Sequence, residues 1–207
     1  MRTAMVSVVV ATILFVCSTE SLADDPKPKS PSEGSLELRL VVKKGVHALD
    51  LGGKTSEEFR EQVAKAEKVR GVMPTPPVVD LVLEVHNKGS KKVTVYIDGP
   101  NTHLTLELKG PGAVSAKVKQ SGISTADSAD TVTLAPGRSY SIPIMQLKAG
   151  TFLEPQYLYW TKPGEYTLSA TIQLDDAKYS GDMVAFVKGP KLTCAPVKLK
   201  VEEKGKK

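Results

Sequence analysis

Short runs in which apolar and polar residues alternate recur along this sequence and constrain its fold more than any other feature. In the first run, Leu36, Leu38 and Leu40 alternate with charged neighbours. Successive side chains on a β-strand point to opposite faces, so a period of two predicts strands with one buried and one exposed face. Similar runs begin near residues 78, 93, 104, 132, 140, 166, 184 and 197. The chain is therefore expected to consist mainly of β-strands.

The number and spacing of these runs indicate the fold class. About nine or ten strands follow one another at roughly twelve-residue spacing with turn residues between them, which is typical of an all-β sandwich. A parallel α/β fold would need a helix between most strands. With 41% apolar residues the chain can build a hydrophobic core. We predict an all-β, immunoglobulin-like antiparallel β-sandwich over residues 35–203.

One short amphipathic helix is predicted near residues 56–70. Thr55 and Glu58 have the spacing of a capping box, in which each side chain bonds a backbone N–H of the other residue. Gly71 and the prolines after it end the helix. The predicted buried stripe consists of Phe59, Val63, Ala66 and Val69.

Two turns predict hairpins. Residues 87–90 (NKGS) lie between the runs at 79–85 and 93–97, and residues 135–138 (APGR) lie between those at 132–134 and 140–144. Turn residues between two alternating runs favour an antiparallel pair.

The N-terminus is typical of an export signal. Arg2 precedes an apolar stretch over residues 4–16, and Ser21 and Ala23 supply the small residues of a cleavage site. Residues 1–23 are predicted to be a signal peptide, residues 24–34 a flexible leader and residues 204–207 a basic tail. An alternative is a lipoprotein, with Cys17 as the lipidated residue. The apolar stretch is too short for a membrane anchor, and no span is predicted in the mature chain.

The distribution of charge and the number of cysteines limit the kinds of partner and of covalent cross-link that are expected. The net charge is +5, but the lysines are scattered along strands, so nucleic-acid binding is not predicted. After cleavage Cys194 is the only cysteine, so no internal disulfide can form. Cys194 is interpreted as a structural residue, with a reactive thiol or an intermolecular bridge as alternatives.

Five segments carry a family resemblance: residues 49–55 (LDLGGKT), 106–113 (LELKGPGA), 134–143 (LAPGRSYSIP), 159–168 (YWTKPGEYTL) and 195–200 (APVKLK). They resemble a family of exported bacterial proteins of uncharacterised function with an immunoglobulin-like sandwich. The PGEYTL element is also similar to strands of modules that resemble the BsuPI-type proteinase-inhibitor domain. The resemblance implies fold and export, and it carries over no functional residues.

No catalytic, cofactor-binding or metal-binding residues are predicted. Residues 52–55 (GGKT) imitate the end of a phosphate-binding loop, but Ala48 stands where that loop needs glycine. The three histidines lack ligand spacing within one element. The acidic group of Asp175, Asp176 and Asp182, interpreted as a loop, fits no calcium cage. No serine or cysteine has the sequence context of a nucleophile.

An aromatic segment supplies the candidate contact residues. Alternation places Trp160 inward and Tyr157 and Tyr159 outward, where exposed tyrosines could contact a glycan or another protein. The leading hypothesis is an exported, non-enzymatic binding or scaffold module that recognises another protein. The alternatives are a carbohydrate-binding module that uses Tyr157 and Tyr159, and a proteinase-inhibitor-like domain. Neither the ligand nor the oligomeric state is predicted.

Overall fold

The computed structural model describes residues 35–98, 101–120, 130–180 and 183–203. The predicted signal peptide with Cys17, the leader, the tail and Asp182 lie outside these ranges. Within them the chain is mostly β with one helix, which confirms the all-β sandwich class. The elements are β1 (Leu36–Val42), β2 (Val46–Leu49), α1 (Ser56–Lys68), β3 (Val78–Asn87), β4 (Val93–Asp98), β5 (His103–Lys109), β6 (Ala113–Lys117), β7 (Asp130–Leu134), β8 (Ser139–Gln146), β9 (Lys148–Gly150), β10 (Pro155–Trp160), β11 (Gly164–Ser180), β12 (Met183–Thr193) and β13 (Val197–Glu203).

The strands form two sheets. The small sheet has the order β1-β3-β8, and the large sheet has the order β2-β13-β11-β5-β9-β10-β6. In the large sheet, β12 and β4 also pair with the long strand β11, and β7 pairs with β4. The pairings are antiparallel except that of β2 with β13, which is parallel. The described strands outnumber the nine or ten predicted because short strands such as β6 and β9 lack a readable alternation.

The core lies between the two sheets, as the alternation predicts. Leu81 and Leu83 of β3 are fully buried from the small sheet, and Leu106, Leu168 and Trp160 join them from the large sheet. Burying a leucine side chain stabilises the fold by about 2 kcal/mol. Apolar burial on the inner faces therefore holds the sheets together.

The two predicted hairpins are wrong, because both turns carry the chain from one sheet to the other. β3 pairs with β1 and β8 in the small sheet, whereas β4 pairs with β7 and β11 in the large sheet. The turn over residues 135–138 likewise connects β7 of the large sheet to β8 of the small one. Alternation shows which face of a strand is buried, but not which strand lies beside it.

Asn87 joins the two crossings, and we name its surroundings the Asn87 corner. Its fully buried side chain donates through Nδ2 to the carbonyls of Lys91 (2.8 Å) and Leu134 (3.0 Å), and its Oδ1 accepts from Gly89 N–H (2.9 Å). Its backbone N–H donates to the Arg138 carbonyl at 2.9 Å. One side chain therefore satisfies backbone groups from both chain crossings.

The helix begins as the sequence predicts. Thr55 is the N-cap, and both hydrogen bonds of the capping box with Glu58 are present. Phe59 and Val63 are buried against the outer face of the large sheet. The prediction that Val69 belongs to the buried stripe is wrong: α1 ends at Lys68, and Val69 is 64% exposed.

Side chains anchor α1 to the large sheet. Ser56 Oγ donates to the Thr161 carbonyl, and Arg60 Nε donates to Thr161 Oγ1 at 2.9 Å. Near the other end of the helix, Glu67 Oε1 accepts from the backbone N–H of Lys117 at 2.8 Å. Glu67 thus satisfies a donor on the edge strand β6, where an open donor invites pairing with another chain. In the described ranges no helix is long and apolar enough to cross a lipid bilayer.

Candidate binding sites

A large concave site, which we name the edge groove, lies between β8 and β9. Its volume is about 830 Å³. Five consecutive residues of β8, from Ile142 to Gln146, line it. Because consecutive strand residues point to opposite faces, a groove lined by all five runs along the edge of the strand. Leu104 of β5 and Phe152 contribute to the other wall.

β8 is an edge strand of the small sheet. It pairs with β3 on one side, and among the described residues no strand pairs with its other side. Pro143 lies opposite Val82 in this pairing. A proline lacks a backbone N–H, so its nitrogen belongs on the side that faces away from the ladder. The outer edge of β8 therefore offers carbonyl acceptors but lacks one donor at its centre.

Exposed apolar side chains gather at the edge groove. Val78, Met145 and Phe152 are 67%, 59% and 70% exposed, and all three line it. The exposed Lys148 also lines the groove, and its Nζ lies 5.4 Å from the centroid of the Tyr157 ring. A cluster of exposed apolar residues beside a polar one is typical of a surface that recognises another molecule.

A second site, which we name the helix cleft, lies between α1, β2 and β10. Its volume is about 580 Å³, within the usual range of small-molecule sites. Four residues with ring side chains, each at most 7% exposed, line it: Phe59, Tyr159, Trp160 and His47. Val78 lines both this cleft and the edge groove.

His47 is the least satisfied side chain of the helix cleft. It is 5% exposed, and its Nε2 is buried without a hydrogen-bond partner. The imidazole centroid lies 5.1 Å from that of Trp160. Burial lowers the pKa of His47, and the charge of Lys44 also lowers it, while contacts with backbone groups of Lys44 and Val78 act in the opposite direction. His47 is therefore neutral at pH 7, with one nitrogen unpaired.

The remaining polar side chains of the helix cleft are two lysines, Asp50, Gln62 and Thr75. Lys44 and Lys54 are exposed lining residues, and neither belongs to an ion pair in the described ranges. Asp50 also lines the cleft, but it accepts a hydrogen bond from Gly52 N–H at 3.0 Å. The helix N-terminus is not a free anion site, because Glu58 and Thr55 already cap it.

The two predicted contact residues have different environments. Tyr159 points away from the sandwich core as predicted, but its predicted exposure is wrong. α1 covers it, it is 1% exposed, and its hydroxyl donates to the Pro74 carbonyl at 2.8 Å. Burial raises the pKa of its phenol, so it stays protonated. Tyr157 is half-buried and lines a separate cavity of about 670 Å³ with Arg70 and Lys119, and its contact role stays a prediction.

The other two histidines of the sequence do not line the helix cleft. His86 Nδ1 is 3.0 Å from Ser139 Oγ, and His103 Nδ1 is 3.0 Å from the Asn101 carbonyl. In the described part of the chain, no three His, Cys, Asp or Glu side chains form a potential metal site.

The predicted acidic loop is wrong for two of its members. Asp175 and Asp176 lie within β11, which continues to Ser180. Asp175 is buried, and its Oδ2 accepts from Asn101 N–H at 3.1 Å and Thr102 Oγ1 at 3.3 Å. Cys194 is buried, and its Sγ accepts from Ala170 N–H at 3.2 Å, in agreement with a structural role.

Fold and site geometry define the class to which this protein belongs, an all-β sandwich with an open strand edge and a helix-covered cleft. Comparisons with protein-family models, with curated proteins and with solved structures give no match. The family resemblance and the inhibitor-like role therefore stay predictions. The alternation pattern alone does not reveal the edge groove, although Pro143 within an alternating run is a recognised signal for an edge strand.

Proposed function

We propose that this chain is an exported, non-enzymatic binding module that recognises another protein by accepting an extended segment of it in the edge groove. The observation that carries the proposal is the outer edge of β8, with which no described strand pairs and which lines a mainly apolar groove over five consecutive residues. Export is supported by the signal-like pattern of residues 1–23. Strand addition to an open sheet edge is a recurring mode of peptide recognition.

The residues that line the edge groove indicate what kind of partner segment would bind there. Alternate side chains of an added strand would lie over the half-buried Ile142 and Leu104, and the others would lie beside the exposed Met145 and Phe152. Both sets of contacts favour apolar residues. Lys148 at the rim favours an acidic residue near one end. The partner is thus an extended, mainly apolar segment with a carboxylate.

Pro143 also limits unwanted pairing. An incoming strand finds one donor fewer at the centre of the edge, so fewer backbone bonds form than along a regular strand. Side-chain contacts in the groove must therefore supply much of the affinity. This arrangement disfavours pairing of two identical β8 edges, which would lack the donor on both strands.

Peptide display tests this function. Random peptides selected on the purified protein are expected to share alternating apolar residues and to reduce hydrogen exchange at the amides of Ser141 and Met145. Phe152→Asp and Met145→Asp should each weaken these peptides at least about tenfold, because a charge must then be desolvated. Val72→Asp is the control, since Val72 is 96% exposed and lies outside the groove.

Pro143→Ala separates strand addition from side-chain binding alone. The alanine restores a backbone N–H on the outer edge and should tighten the selected peptides by about five- to tenfold, the usual effect of one hydrogen bond. Unchanged affinity would contradict strand addition. Equal binding by wild type and Phe152→Asp would contradict the groove as the site.

A further inference from the structure

The helix cleft supports a second inference, which does not depend on the edge groove. A buried polar atom without a partner reduces stability, so such an atom in a cavity wall calls for a partner. Nε2 of His47 is buried without a partner, and the residue that carries it lines the helix cleft. A ligand that donates a hydrogen bond to Nε2 would supply that partner.

The residues in the wall of the helix cleft indicate which molecular framework the ligand would have. Trp160 stacks near His47, and the rings of Phe59 and Tyr159 lie 5.4 Å apart in an edge-on arrangement. Aromatic walls favour a planar aromatic ligand through offset or edge-on contacts. The Tyr159 hydroxyl is already bonded to Pro74, so its ring contributes an apolar surface.

The charged residues that line the helix cleft indicate the charge of the ligand. Lys44 and Lys54 lie at the opening, and Asp50 is the lining acid among the described residues. Two ammonium groups against one carboxylate leave this part of the cleft with a net positive charge, which favours an added anion. A carboxylate can accept charge-assisted hydrogen bonds from one or both ammonium groups.

We propose that the helix cleft binds small hydroxylated aromatic carboxylic acids. The ligand hydroxyl donates to His47 Nε2, the ring lies against Trp160 and Phe59, and the carboxylate meets the two lysines. Nε2 is screened from solvent in the free protein. Rotation of the imidazole about χ2, a torsion with a broad minimum, exposes Nε2 to the ligand.

Three matched probes test this assignment by calorimetry and by the ¹⁵N shift of His47 Nε2. 4-Hydroxybenzoate has both polar groups, benzoate lacks the hydroxyl, and 4-hydroxybenzamide lacks the charge. We expect 4-hydroxybenzoate to bind about tenfold more tightly than either of the others, since each lacks one polar contact. The Nε2 shift should change with 4-hydroxybenzoate and not with benzoate. If no probe perturbs His47, the assignment is overturned.

Substitutions in the helix cleft test which residue makes each proposed contact with the ligand. His47→Phe should remove the preference for 4-hydroxybenzoate over benzoate, and the double substitution of Lys44 and Lys54 by glutamine should remove the preference over 4-hydroxybenzamide. His86→Phe, on the outer face of the small sheet, is the matched control. The lysines are exposed, so their variant tests the site even if His47→Phe fails to fold. A hydroxyl preference that survives in folded His47→Phe would overturn the proposal.

Discussion

A buried polar side chain lies near each end of β3, and the two side chains differ in how completely they are hydrogen-bonded. At its C-terminal end, Asn87 is fully buried and makes three side-chain hydrogen bonds. Near its N-terminal end lies His47 of β2, which is 5% exposed and contacts the backbone of Val78, but whose Nε2 has no hydrogen-bond partner. Buried polar groups in folded proteins are almost always paired. The contrast indicates that Asn87 serves the fold, whereas His47 is retained at some cost in stability.

The surroundings differ as well. The Asn87 corner is built from backbone groups of two chain crossings, which no other molecule needs to complete. The helix cleft is an open volume with rings on its wall and cations on its rim. A polar group that is unsatisfied next to an opening has room for a ligand. We therefore expect substitutions at the two ends to change stability in opposite directions.

Asn87→Leu should give the largest effect. It leaves the carbonyls of Lys91 and Leu134 and the N–H of Gly89 without partners, and we expect a loss of about 3 kcal/mol in the free energy of unfolding. Urea denaturation measures the change. Lys88→Leu, at the exposed neighbouring position, is the matched control. A loss below about 1 kcal/mol would mean that the corner does not depend on Asn87.

Gln156→Leu extends the comparison to a third buried polar side chain. Gln156 of β10 donates through Nε2 to the Leu106 carbonyl (2.9 Å) and accepts through Oε1 from Leu106 N–H (3.2 Å). These two bonds link β10 directly to β5, beside the short strand β9 that pairs with both. We expect a loss of about 2 kcal/mol in urea denaturation. The exposed Gln62→Leu should lose much less, and equal losses would contradict the role of the bridge.

His47→Phe should change stability in the other direction. It removes the unpaired Nε2 and keeps a ring beside Trp160, and the adjoining cleft has room for the larger side chain. We expect a gain of about 1 kcal/mol in the free energy of unfolding, read by the same denaturation. A loss of similar size would show that the imidazole is already satisfied, and the comparison with Asn87 would fail.

Lowering the pH should change the free energy of unfolding by a smaller amount that also depends on His47. Because burial lowers the pKa of His47 below its usual 6.5, the unfolded chain takes up a proton at a higher pH than the folded chain does. This contribution to stability is present above pH 6.5 and is lost as the pH falls through the folded-state pKa. The advantage of His47→Phe over the wild type should therefore grow from pH 7 to pH 5. Parallel pH profiles would contradict the lowered pKa.

Much of the fold could be predicted from local pattern. The alternation identifies the buried faces of β1 and β3, and the Thr55–Glu58 spacing places the start of α1, because both depend on neighbouring residues. Pairing could not be predicted. The turns after Asn87 and Leu134 have hairpin composition, yet each crosses between the sheets, which depends on contacts far away in sequence.

The candidate sites were less predictable. Alternation places Tyr159 on the correct face, but its exposure depends on where α1 packs, which no local pattern shows. His47 is one of three histidines in the sequence, and its unpaired nitrogen becomes apparent only when β2, β10 and the segment before β3 come together. Pro143 carried the one local signal, that of an edge strand.

The Asn87 corner also affects how the molecule gains its structure. The hydrogen bond from Asn87 to Leu134 joins positions 47 residues apart, and it can form only when the C-terminal ends of β3 and β7 meet. Contacts of such long separation form late and slow the folding reaction. The small and large sheets are thus expected to assemble and melt in one cooperative transition, without a populated intermediate that retains either sheet alone.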